Sequence, residues 1–215
     1  TEVIPVLKRE LIDGTSFAAD IFLKFSANTY ILVAKSGNKA NIKELHLSDD
    51  VQFLYVRKTE YRNVVGQALS IAGVLVDHEA ISVEKKAVFI SKAAESVFSE
   101  LLELEINHES IEHAKSVALN IQTLIEIKKD LFSVMSILSA LPGGYMKQSI
   151  SAGIVAVLIA KQMGWTLEAN HEKLLLACLL QDVGLKELPK ELLTKPRHEL
   201  NAEERSLYET HPYRG

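Results

Sequence analysis

A single cysteine, Cys178, serves all 215 residues, so no disulfide framework is available and a reducing compartment fits. No apolar run approaches the roughly eighteen residues a membrane span requires. The run at 153–160 is about half that length. The opening TEVIPVLKRE lacks the apolar core of a signal peptide. Neither sign of charge dominates: the net charge is −4 with both signs interspersed, which removes the electrostatic case for a nucleic-acid partner. Gly/Ser-rich linkers, low-complexity tracts and internal repeats are missing as well. These absences predict a soluble, cytoplasmic protein with no membrane span. What is present is a 47% hydrophobic composition, enough for a sizeable core, over a length that suits two domains.

The first part, residues 1–72, reads as a small α+β domain. VIPVL at 3–7 is a short strand, and Pro5 points to a sheet edge. Asp13-Gly14 signals a turn, and alternation at Ile21, Leu23 and Phe25 predicts a second strand. Asn28-Thr29 turns the chain into a third, over 30–34. Asn41 and Glu44 have capping-box spacing for a short helix through Leu47. A fourth strand covers 53–56, and Tyr61 begins a helix. Arg57, Lys58, Tyr61 and Arg62 cluster in sequence. They read as a solvated strand end and helix start, with binding of an anion as the alternative.

Residues 73–141 read as linking and bundle helices. Ser82 can cap a helix reaching about residue 105, and Asn107 can cap the next. Ile111, Ala114, Ala118, Ile121, Ile125, Leu131, Val134 and Leu138 form a stripe that predicts one long helix as far as Leu141. A bundle uses this stripe internally; a homodimer through the long helices is the alternative. His108 and His113 are five apart rather than the four a helical zinc pair needs, so an exposed, charged first turn is expected.

Residues 142–215 read as a helical core. Leu141-Pro142-Gly143-Gly144 stops the preceding helix, and a strongly apolar one follows to about Met163. Thr166 is expected to cap the helix of KLLLACLLQDVGLKELP (173–189). Its seven consecutive apolar residues suit a helix buried on most sides, and they deliver Gln181 and Asp182 to its end. Asn201 and Glu204 repeat the capping-box spacing before HPYRG.

LLQDVGLKELPKELLTKP followed by HPYRG resembles the HD-GYP branch of the HD phosphohydrolase superfamily. There the text runs LLHDIGK, a proline, an IL-x-KP segment, a capped helix with paired acids, and HP-x-x-G. QSISAGIVAVLIAKQMGW is similar to that family's HS-x-R-V helix, so the resemblance covers 145–215. The N-terminal domain resembles accessory domains that precede some such modules. The resemblance implies an all-α HD-type bundle after the α+β domain, continuing beyond Gly215 with the family's paired histidines and GYP loop. It also implies hydrolysis of cyclic di-GMP at a centre of two or three metal ions, often iron.

Carried over position by position, the family's first ligand histidine falls on Gln148, and the acidic ligand before it on Gly144. The histidine of the HD pair falls on Gln181, and the following lysine on Leu185. Asp182 and the histidine of HP-x-x-G, His211, are kept. A neutral amide is a poor transition-metal ligand, glycine offers none, and leucine removes a cation that could meet phosphate. Asp182 and His211 are the positions left for a metal, iron or manganese if one is bound. The expectation is a degenerate site with no cofactor, in a protein of cyclic-di-GMP signalling whose partner is a signalling protein or cyclic di-GMP itself. An active phosphodiesterase with an unconventional metal site is the alternative, and a dimerising structural module is a third. In a site without metal, Asp182 could cap the segment after Gly184 or accept hydrogen bonds from Gln148 and Gln181 in a neutral polar core. His211 would then end a helix, with Pro212 as its stop.

Overall fold

The computed structural model describes residues 2–8, 11, 14–27, 29–39, 47, 51–127, 131–142 and 145–215. Within these the chain forms a four-stranded sheet and then eight α-helices. Strands β1 (Val3–Leu7), β2 (Ile21–Ser26), β3 (Thr29–Ala34) and β4 (Phe53–Arg57) pair antiparallel in the order β1-β4-β2-β3. Pro5, which has no N–H to donate, sits on the edge strand β1, opposite Tyr55. Alternation sends Ile4 and Val6 of β1, and Leu54 and Val56 of β4, to the buried face. Asp13, Asn28 and the Asn41–Glu44 capping box lie outside the described residues.

Helix α1 (Tyr61–Asp77) runs unbroken across residue 72. Its Val64, Val65, Ala68 and Ala72 share one continuous apolar cluster with Ile4, Val6, Leu54 and Val56 of the sheet and with the buried stripe of α2 (Val83–Glu103). One core therefore serves the sheet and the first helices. The cations at the strand end and helix start are all paired with acids: Arg57 with Asp20 and Glu60, Lys58 with Glu2, and Arg62 with Glu100 and Glu109. Tyr61 departs from the expected solvated start. It is fully buried and donates its hydroxyl to the Ser96 carbonyl at 3.3 Å.

Local capping follows the sequence closely. Ser82 Oγ accepts the Lys85 N–H at 3.4 Å, and Asn107 Oδ1 accepts the Ser110 N–H at 3.0 Å. The single long helix expected up to Leu141 is instead two, α3 (His108–Ile127) and α4 (Leu131–Ala140). The apolar stripe continues through both, and a stripe alone does not reveal where a helix is interrupted.

Helices α5 (Tyr145–Gln162) and α6 (Glu168–Leu180) form the next pair. A Cβ at Gly153 would lie 3.0 Å from Leu175 Cδ2 and 3.5 Å from Cys178 Cβ, so this glycine lets the two helices close. Leu167, not Thr166, occupies the N-cap of α6, without a side-chain cap. The expectation that α6 is buried on most sides also needs correction. Leu175 and Leu179 are buried, their leucine neighbours are half-buried and Ala177 is exposed, because α5 and α3 cover one face only. Short helices α7 (Lys190–Thr194) and α8 (Ala202–Tyr208) follow. The predicted box closes on α8: Glu204 N–H donates to Asn201 Oδ1 at 2.9 Å, and Asn201 N–H to Glu204 Oε2 at 3.0 Å. Among the described residues no helix is long and apolar enough to cross a membrane.

Candidate functional site

The end of α6 and the HPYRG segment meet in one corner. After Leu180 the chain passes Gln181 and Asp182 into a 3-10 turn over Val183–Glu187, which Leu185 N–H closes on the Asp182 carbonyl at 3.0 Å. A second 3-10 turn, His211–Tyr213, packs against the first. The contact is between main chains: a Cβ at Gly184 would stand 2.0 Å from the His211 carbonyl oxygen and 2.7 Å from Gly215 N. Only glycine permits that approach.

This seam brings together side chains 29 positions apart in sequence. His211 Nε2 lies 3.1 Å from Asp182 Oδ1, with the two side chains 12% and 21% exposed. The other ring nitrogen, Nδ1, donates to the Tyr208 carbonyl at 2.7 Å, and the Tyr208 ring meets the imidazole edge-on at 5.1 Å. Arg197 lies 5.0 Å over the Tyr208 ring and donates to its hydroxyl at 2.7 Å. The imidazole is thus held through both nitrogens and one face. His211 does follow the last turn of α8 and satisfies one of its carbonyls, as expected of a helix-ending histidine.

The remaining candidate positions behave differently from one another. Asp182 makes no side-chain cap to the turn that follows it, and its partner is His211 rather than either glutamine. Gln148 and Gln181 are both exposed, so they form no neutral polar core. Gln181 Nε2 instead donates to Oγ of the buried Ser149 at 3.0 Å, strapping the end of α6 to α5. Leu185 is 2% exposed and belongs to the apolar core. The next residue, Lys186, turns its ammonium to the Leu101 carbonyl at 3.1 Å and to that of Leu104, ending α2 where a cation is favoured. Gly144 lies outside the described residues.

An HD domain family model matches residues 133–215, a span that contains the whole corner. The architecture as a whole is similar to that of Bd1817, an HDG"Y"P protein from Bdellovibrio bacteriovorus. The TM-score is 0.65 at 16% identity, over 99% of this chain and 70% of that one. Residues 133–215 are thus similar to an HD domain, and the fold is HD-GYP-like. No curated protein matches it.

An HD domain of this kind implies a transition-metal centre, and the donor set here does not fit one. Among the described residues no three His, Cys, Asp or Glu side chains converge as a metal cage. The two donors that do converge face each other at hydrogen-bond distance, and the exposed Gln181 is turned to a serine. Asp182 and His211 are each other's side-chain partners at this corner.

The sequence reading missed one cluster. Glu100 of α2 has a fully buried side chain, reached by Arg62 Nε of α1 at 3.1 Å and His113 Nδ1 of α3 at 2.8 Å. His113 is therefore no exposed member of a charged first turn. The available signal was a glutamate lying inside an apolar stripe between Val97 and Leu101. Such a residue needs partners, though nothing local names them.

Proposed function

We propose that this HD domain does not hydrolyse a phosphodiester, and that the chain serves cyclic-di-GMP signalling by contacting a signalling protein or holding cyclic di-GMP without turning it over. The observation that carries this reading is that, among the described residues, no third His, Cys, Asp or Glu joins the Asp182–His211 pair. Two-metal hydrolysis needs a pair of ions about 4 Å apart to clamp the phosphate and activate water. One carboxylate and one imidazole, with Gln181 and the buried Leu185 as their neighbours in the turn, supply neither the clamp nor the charge. The cation nearest the missing lysine, Lys186, is engaged with the carbonyls of α2.

The test uses the full-length protein purified with iron or manganese supplied. Elemental analysis should find substoichiometric metal, and cyclic di-GMP should persist in an incubation that an active enzyme would clear. Metal-dependent turnover that Asp182→Ala abolishes refutes the proposal.

A further inference from the structure

The end of α1, the start of α2, the end of α3 and α4 enclose a cleft of about 700 Å³. That volume lies within the roughly 300–1,000 Å³ typical of small-molecule sites. The cleft flanks the first turns of α2, whereas the Asp182 corner is tied to its far end through Lys186. Fifteen helical residues separate Lys86 from Leu101, a distance of about 22 Å.

Lys86 sets the character of the cleft. The residue is 4% exposed and lines the cavity. Its backbone N–H bonds to the Ser82 carbonyl at 3.0 Å, but its ammonium has no hydrogen bond or ion pair among the described residues. Its side chain is otherwise sealed in the protein, so the ammonium meets solvent only at the cleft, where an anionic group would give it a partner. The hydroxyls beside it are arranged the other way. Thr123 donates its proton to the Leu119 carbonyl and Ser136 donates to Glu84, so both present lone pairs to the cavity. Asp77, Glu79 and Glu84 add carboxylates to the lining.

With three carboxylates and one ammonium the lining disfavours a polyanion such as a nucleotide, and a simple cation would leave Lys86 without a partner. A zwitterion satisfies both, with its carboxylate on Lys86 and its ammonium on the acids. Val76, Ile81 and Ile127 provide an apolar wall for the rest of the molecule. We propose that this cleft binds a free α-amino acid with an apolar side chain.

The experiment titrates the full chain by calorimetry with each of the common L-α-amino acids at millimolar concentration. Alongside run 4-methylpentanoate, 3-methylbutylamine and cyclic di-GMP. At least one apolar amino acid should bind. Carrying only half of the zwitterion, the carboxylate or the amine alone should bind at least about tenfold more weakly. Lys86→Met should abolish binding yet fold with unchanged or higher stability, because it removes an unpaired charge. Asp77→Asn, at an exposed position, should weaken binding without affecting the fold. The proposal is overturned if no amino acid binds, if Lys86→Met binds as well as the parent, if that variant unfolds, or if Lys86 is needed for cyclic di-GMP instead.

Discussion

Replacing Arg62 with methionine isolates the cost of a buried carboxylate that has lost its main partner. The Glu100 side chain is fully buried, and Arg62 and His113 approach it at 3.1 and 2.8 Å. Truncating one member of such a pair typically costs about 3–5 kcal/mol, because the other charge stays behind in a poor solvent. Here the lower end, about 3 kcal/mol, applies, since His113 remains and Arg62 is itself partly solvated. For a chain of this size that corresponds to a fall in Tm of roughly 6–12 °C. Glu100→Met should be milder, about 1–2 kcal/mol, because it removes the buried charge and leaves Arg62 with Glu109 and water. The double variant R62M/E100M should then cost less than the sum of the two, by about 1–2 kcal/mol of coupling. Urea unfolding followed by circular dichroism measures all three. If Arg62→Met is cheaper than Glu100→Met, or if the two costs simply add, the carboxylate is not held as described.

Two further outcomes follow from the geometry. Gly184→Ala forces a methyl into main-chain atoms at 2.0 and 2.7 Å, so it should cost at least about 2–3 kcal/mol and speed amide exchange over 211–215; an unchanged Tm would contradict the packing. Glu204→Gln should flatten the acid limb of the stability curve. The Lys195 ammonium, followed by the Asn201 N–H, holds the Glu204 carboxyl below its ordinary 4.5. Its contribution is therefore complete above that value and disappears as pH falls through the lowered one. An acid-unfolding profile identical to the parent's would refute the pairing.

Features fixed by neighbours in sequence were legible in advance. The alternation of Ile4 and Val6 placed β1, Pro5 placed it at an edge, and Ser82, Asn107 and Asn201 marked helix starts because a cap is a local hydrogen bond. The break between α3 and α4 escaped because the apolar stripe keeps its period across it. The HD corner was located by its motif, but the roles within it were not all foreseen. That Gln181 reaches Ser149 rather than Asp182, and that Gln148 faces solvent, depends on how α5 and α6 are rotated against each other. The Glu100 cluster joins residues 13 and 38 positions away, and one chain read alone does not pair such distant charges.

The main-chain seam at Gly184 gives the corner a shape that does not depend on the side chains it displays. Its mechanical integrity and its reactivity are therefore separable, and only part of the reactivity can be edited cheaply. Gln181 is on the open side, so a histidine there would displace no core packing and would forgo only the hydrogen bond to Ser149. Leu185 is sealed in the core, and a lysine there would have to displace apolar packing before it met anything. Introducing the family's histidine and lysine at these two positions would have to proceed from the rim inward, with the buried cation last.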